Sequence, residues 1–305
     1  MPDAEPLPRS LLHPRHWPTW LGVGLLRVSL YLPRSLRLLM GRGLGRLLWH
    51  ASSRRQHIAA TNLQWCFPEW NEAQRTQVLR AHFRVMGQCF IDYPLLWFGS
   101  APEHQRCIKI IDEAGILQRD VPRPVIICAG HAPALDFGGL RLSQELGGVS
   151  FAKPMKNPVV EWINTRSRCQ YGALVYARKQ GLRPVLRAIR EGRDFYYLAD
   201  EDLGPQNTIF APFFGIKKAT VPALGRLAQM SVAKVIPAMG IYDVDKDQYA
   251  LVLAEPLADF PEGEEMTDTI KMNQALEVLI RRYPEQYLWT QKLFKTRPEG
   301  ETPPY

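Results

Sequence analysis

The chain has 305 residues, 46% of them hydrophobic, and a formal net charge of +8. That length can bury a large core, so one α/β domain with an N-terminal appendage fits better than two equal domains. Residues 1–60 hold nine Arg, no Lys and only Asp3 and Glu5 as acids. This argues against a nucleic-acid-binding fold with basic charge spread over its surface and favours a membrane surface or an anionic substrate.

In chain order, the first sixteen residues are Pro-rich and are expected to be loosely ordered. Trp17 to Met40 is apolar but interrupted by Arg27, Pro33, Arg34 and Arg37. A spanning helix needs about 20 apolar residues, and a central Arg costs roughly 2.5 to 3.5 kcal/mol on insertion scales. Read as one helix, Arg27, Arg34 and Arg37 fall within an arc of about 80°, which suits a helix lying in the interface as well as one that spans. No small-residue cleavage site follows, so the segment does not read as a signal peptide. Six Arg lie beyond its apolar centre, against Arg9 and Arg15 before it, which places the main domain in the cytoplasm if the helix spans. The five cysteines are odd in number and form no C-x-x-C, as expected of reduced thiols there. We divide the chain into a membrane-associated segment, 1–57, and a catalytic domain, 58–305.

Asn71 is a candidate N-cap for a long helix reaching roughly Trp97, bent or ended by Pro94. His82 and His104 read as surface or core histidines rather than ligands. Val125 to Cys128, bounded by Pro124 and Gly130, reads as a buried strand. Leu140–Leu146 follows as helix, Val149–Ala152 as strand, then a loop carrying Lys153 and Lys156, and a helix carrying Arg166 and Arg168. A strand near Leu174–Tyr176 precedes Arg178 and Lys179, with a helix from about Pro184 to Glu191. Phe195–Ala199 is the next strand and ends at Asp200-Glu201-Asp202. A helix at Leu224–Met230, strands near Val235–Met239 and Tyr249–Ala254, and an amphipathic helix at Asp268–Arg282 complete the pattern. Short apolar strands alternating with helices predict an α/β fold: a mostly parallel central sheet flanked by helices, with the N-terminal membrane-associated helix added. Functional groups gather at the carboxyl ends of such strands, where His131, Lys153, Arg178 and Asp200 all fall.

The pattern His131-Ala-Pro-Ala-Leu-Asp136 carries the chemistry. An all-helical path sets the two side chains roughly 140° apart, so a bend at Gly130 and Pro133 must intervene if they are to touch. With that bend, Asp136 at the start of the next helix bonds one ring nitrogen and leaves the other as a base. The plainer alternative is an aspartate that complements a helix dipole. Asp200 and Asp202 read either as metal ligands or as a hydrated turn. Lys217 and Lys218, ahead of a possible N-cap at Thr220, read either as an anion site or as solvated lysines.

The chain resembles the lipid A biosynthesis acyltransferases, in particular the lauroyl-type enzyme of Gram-negative bacteria. The likeness rests on Leu11-Leu12-His13-Pro14-Arg15 with Trp17 and Trp20-Leu21-Gly22, and on Asn62-Leu63 with Cys66-Phe67-Pro68-Glu69. It continues through the H-x-x-x-x-D element, Asn157-Pro158, Gly204-Pro205, Pro284-Glu285-Gln286-Tyr287 and Phe294 through Gly300. The lauroyl enzymes tend to carry Glu where this chain has Asp136. The resemblance implies an inner-membrane enzyme, single-pass or monotopic, working at the cytoplasmic face. It would move a fatty acyl chain from acyl carrier protein to a hydroxyl of a lipid A precursor that already bears Kdo sugars.

On that reading His131 takes the proton of the acceptor hydroxyl and Asp136 supports the imidazolium. With no Ser or Cys beside the pair, transfer is direct. Lys153, Arg166, Arg168, Arg178, Asp200, Lys217 and Lys218 are the candidate substrate-binding residues. No metal, no cofactor beyond the acyl-carrier co-substrate and no nucleic acid is expected, and the enzyme is expected to be a monomer. Two alternatives differ in substrate or chemistry: transfer to a glycerophospholipid or other lipid alcohol, and a metal-dependent hydrolase built on His131, Asp136, Asp200 and Asp202. A non-catalytic membrane scaffold is the remaining possibility.

Overall fold

A computed structural model describes residues 6–118 and 121–305. The N-terminal segment is not one helix. Residues 9–12 and 14–16 form short 3-10 turns, with the indole N–H groups of Trp17 and Trp20 donating to the carbonyls of Leu12 and Leu11 at 3.2 and 2.8 Å. The loose order expected of the first sixteen residues therefore does not extend to this part, and residues 1–5 lie outside the described residues. Helix α1, Trp17–Ser29, ends before Pro33, whose missing N–H and fixed φ suit the start of a new helix. Helix α2, Arg34–Ala51, follows, so Arg27 and the Arg34/Arg37 pair stand on different helices and the single arginine arc does not form. Among the described residues no helix is long and apolar enough to cross a membrane.

Helix α3, Ser53–Cys66, contains the position where the two segments were divided. Helix α4, Glu72–Phe98, starts with the reciprocal capping of Asn71 and Gln74. It runs through Pro94 instead of ending there, because Leu95 and Leu96 are buried beyond it and the Trp97 indole donates to Asn164 at 2.5 Å. Helix α2 packs on α4 through Gly41 and Gly45 against Gly87, where a Cβ on Gly87 would meet the Gly41 carbonyl oxygen and the Gly45 nitrogen, both at 2.4 Å. Arg34 reinforces this docking by pairing with the buried Asp92 of α4 at 2.7 Å and with Asp247. His82 and His104 are both core residues, bonded to the carbonyls of Glu285 and Leu95.

Helix α5, Ala101–Cys107, leads into strand β1, Ile108–Asp112. Strand β2, Val125–Ala129, is followed by helix α6, Leu135–Leu146, strand β3, Gly148–Ala152, and helix α7, Pro158–Cys169. Strand β4, Leu174–Ala177, helix α8, Arg183–Arg190, and strand β5, Asp194–Leu198, come next. A two-stranded antiparallel ribbon, β6 (Ile209–Phe213) and β7 (Ile216–Thr220), precedes helix α9, Leu224–Ser231. Strands β8, Lys234–Asp243, and β9, Gln248–Leu253, and helix α10, Glu265–Arg282, complete the order.

The main sheet runs β1-β9-β8-β2-β5-β3-β4. Its pairs are parallel except β8 with β9, so the expected mostly parallel sheet flanked by helices is present. Strand alternation divides the core. Ile126 and Cys128 of β2, with Phe195 of β5, pack with α8, α9 and α10. Val125, Ile127 and Ala129 face the other way, with Leu142 of α6. Helix α7 packs on α6 and so shares this second face. Gly240 of β8 lets the start of α6 press against the sheet, since a Cβ there would sit 2.6 Å from the Ala134 carbonyl oxygen.

Candidate active site

The histidine and its partner follow from strand register. Parallel strands β2 and β5 pair Ala129 with Leu198, so the residues two steps beyond each, His131 and Asp200, emerge side by side at the carboxyl edge of the sheet. Asp200 Oδ1 lies 2.6 Å from His131 Nδ1, and Asp200 Oδ2 accepts the His131 backbone N–H at 2.8 Å. The carboxylate is 1% exposed and the imidazole 17%. Burial by itself would lower the His131 pKa, but the charge of Asp200 and its hydrogen bond outweigh this and raise it above the ordinary value. Burial pushes Asp200 up, yet the paired His131 and the neighbouring Tyr287 hydroxyl hold it at about 2. The pair thus favours a carboxylate beside an imidazole of strengthened basicity.

Asp136 does not orient His131. Its carboxylate takes Nε and Nη2 of Arg168 at 2.9 and 3.1 Å and the Tyr93 hydroxyl at 2.7 Å. It does sit in the first turn of α6, as expected. From there it meets α7 and α4, and a guanidinium fork with a phenol satisfies a carboxylate more fully than one ring nitrogen does.

His131 opens onto a cavity of about 360 Å³ between α6 and the sheet. Ile127, Leu135, Leu140, Leu142, Leu146, Val149 and Val175 give it apolar walls, while Asp136, Lys153, Arg168, Arg178, Asp194 and Glu201 supply the charged lining. Concave, mostly apolar sites with a few convergent polar groups are the usual form of a ligand pocket.

The loop bearing His131 is held from behind by the C-terminal block. The Leu288 N–H donates to the His131 carbonyl at 2.9 Å, and Tyr287 packs over Gly130. Asn62 donates to the carbonyls of Trp289 and Gln291, both at 2.7 Å. Asp202 accepts the Thr296 N–H and hydroxyl, each at 2.8 Å. The segments that carry the resemblance at the two ends of the chain thus meet behind the site.

The family profile of the bacterial lipid A biosynthesis acyltransferases matches residues 6–296. The chain belongs to that family. A lipid A biosynthesis acyltransferase of Haemophilus influenzae is 34% identical over 96% of this chain and 92% of its own length. The lipid A biosynthesis lauroyltransferase of Escherichia coli K12 is 32% identical over 95% of both. The myristoyltransferase of the same organism is 33% identical over 97% of this chain and 93% of its own. Among solved structures, the 1-acyl-sn-glycerophosphate acyltransferase PlsC of Thermotoga maritima aligns over 82% of this chain and 97% of that one, at 15% identity and a TM-score of 0.34.

Of the candidate binding residues, Lys153, Arg168 and Arg178 line the cavity. Other candidates lie elsewhere. Arg166 is exposed, its guanidinium 5.5 Å from the Trp162 ring and outside the cavity lining. Lys217 is exposed on β7, also outside the lining. Lys218, its neighbour on the opposite face of the strand, is 1% exposed and outside the cavity lining; it lies among the charges of Asp200 and Asp202. Thr220 ends β7 rather than capping α9, which removes the expected anion site. Asp200 also leaves the substrate-binding set, because His131 takes both of its oxygens. Tyr93 and Tyr287 were not foreseen. Asp200 itself carried one legible signal: like His131, it follows the carboxyl end of a strand.

Proposed function

We propose that this acyltransferase moves a fatty acyl chain, lauroyl or of similar medium length, from acyl carrier protein to a hydroxyl of a Kdo-bearing lipid A precursor at the cytoplasmic face of the bacterial inner membrane. The observation that carries this is the buried His131–Asp200 pair opening onto an apolar cavity. An alcohol is a poor nucleophile, and a positioned base supplies about 10² to 10⁴ in rate. His131 Nε2 takes the hydroxyl proton as the alcohol oxygen bonds to the thioester carbonyl carbon. The tetrahedral oxyanion collapses, the carbon–sulfur bond breaks, and the departing thiolate receives the proton from Nε2. The products are an ester and a free thiol. Asp200 holds Nδ1–H, fixing the ring and stabilising the imidazolium. The apolar walls suit the acyl chain, while Lys153, Arg168 and Arg178 suit phosphate or carboxylate groups of the acceptor.

Membrane contact comes from a surface lying in the interface. Trp17, Leu21, Leu25 and Val28 form an exposed stripe on α1, and α2 adds Leu36, Leu39 and Leu47. The metal-hydrolase alternative loses its ligand set, because Asp136 is committed to Arg168 and Asp202 to Thr296.

Purified enzyme supplied with acyl carrier thioester and offered either the Kdo-bearing precursor or a lysoglycerophospholipid, with products read by mass spectrometry, tests the reading. An acyl mass gain on the lipid A precursor is expected. Gain only on the glycerophospholipid would move the chain to the alternative acceptor, and loss of activity on chelation would count against metal-free transfer.

A further inference from the structure

Residues 174–190 contain five cations and no acid. Arg178 lines the cavity and pairs with Glu201 at 2.5 Å. Beyond it, Lys179 and the α8 residues Arg183, Arg187 and Arg190 are all exposed. The three arginines are spaced i, i+4, i+7 and so share one helix face, while Val185, Ala188 and Ile189 bury the other against the sheet. Arg187 pairs with Glu191 at 3.0 Å, whereas Lys179, Arg183 and Arg190 form no salt bridge among the described residues. The result is a basic ridge that begins beside the cavity lining at Arg178, three of its cations being free of salt bridges among the described residues.

Its place in the fold bears on what it meets. Leu174 and Tyr176 of β4 pack with the α8 side of the sheet, whereas Val175 lines the cavity on the other side. The exposed apolar stripe of α1 belongs to the cavity side, where the Trp20 ring meets Trp162 of α7 and Thr19 accepts from Asn157. A lipid acceptor held at the α1 surface would therefore reach the mouth from one side of the sheet, leaving the α8 side open to water. Helix α8 is a poor membrane anchor, because its apolar face is already spent on the core.

We infer that Lys179, Arg183, Arg187 and Arg190 form the docking face for an acidic, water-soluble carrier protein that delivers the acyl thioester past Arg178. This rests on the acyl-transfer reading above. Charge on such a face speeds encounter and sets register more than it adds contact energy, and salt screens it.

The test compares wild type with the triple variant Lys179→Glu/Arg183→Glu/Arg190→Glu. Each is assayed with the acyl thioester on purified acyl carrier protein and with the same acyl group on N-acetylcysteamine. The expected result is a rise of at least about tenfold in KM for the carrier-borne donor, with kcat little changed. Kinetics with the small thioester should stay at the wild-type level, and the increase of carrier KM with salt expected of wild type should flatten in the variant. An unchanged carrier KM would overturn the docking face. Equal losses with both donors, with a lowered melting temperature, would overturn it too by making the ridge structural. Loss of binding to phosphatidylglycerol vesicles with carrier KM intact would assign the ridge to the membrane instead. Wild-type protein inert with every thioester would remove the acyl-transfer reading itself, which is a different failure from an active enzyme indifferent to the substitutions.

Discussion

Two carboxylates stand close to one cavity, Asp136 in its lining and Asp200 behind His131, and their surroundings give them different work. Asp200 stands on a strand end, is 1% exposed, and is backed by buried Lys218 and by Tyr287 of the C-terminal block. Asp136 stands on a helix start, lines the cavity, and is clasped by Arg168 and Tyr93. The first is arranged to set the protonation of His131. The second is arranged to fix a guanidinium in the wall. Carboxylate chemistry is the same in both; register and neighbours decide which becomes part of the proton relay.

The hardest blow to this comparison is removal of the group both sides surround. His131→Ala is expected to lower the transfer rate by about 10² to 10⁴ or more, with the circular dichroism spectrum and melting temperature close to wild type. Near-normal turnover in that variant would sink the mechanism.

Asp200→Asn comes next, with a loss of about 10² or more, because the amide keeps the shape but no longer stabilises an imidazolium. It also has a signature in pH. The base must be neutral, so kcat/KM falls as pH drops through the His131 pKa, which Asp200 raises above the ordinary value. Without the carboxylate charge that pKa drops, and the acid limb of the profile moves to lower pH. A limb that stays in place while the rate falls would show that another group holds the ring.

Asp136→Asn sharpens the contrast. Its loss should be smaller, about 10 to 10², and should appear partly in KM, since Arg168 loses a bidentate partner in the wall. The acid limb should not move. If it moves as far as in Asp200→Asn, the two carboxylates are coupled to the same proton and the division drawn between them fails.

Much of this was legible in the sequence. Bounded apolar runs marked β2, β3, β4, β5, β8 and β9, and the turn residues Gly130 and Pro133 marked the place where an imidazole emerges. The orienting acid was misread because sequence proximity favours Asp136, five residues away, while the bond goes to Asp200, 69 residues away, through a strand pairing that no single segment reveals. The same holds for Asn62 and Trp289, which meet across 227 residues. The N-terminal break was legible in Pro33, but the arginines around it were read by charge alone. The acids that fix Arg34 lie on α4 and beyond β8, and only packing brings them to it.

The smallest effect falls on the lysine pair that sequence placed in an anion site. On a strand, neighbours point to opposite faces, so Lys217 is exposed while Lys218 is enclosed beside Asp200 and Asp202. Lys217→Ala should therefore leave kcat and KM within about twofold of wild type, as expected of an exposed lysine outside the cavity lining. A large rise in KM for the phosphorylated acceptor would return Lys217 to substrate binding. It would also mean that the acceptor reaches over the β6–β7 ribbon, on the side here assigned to proton control rather than recognition.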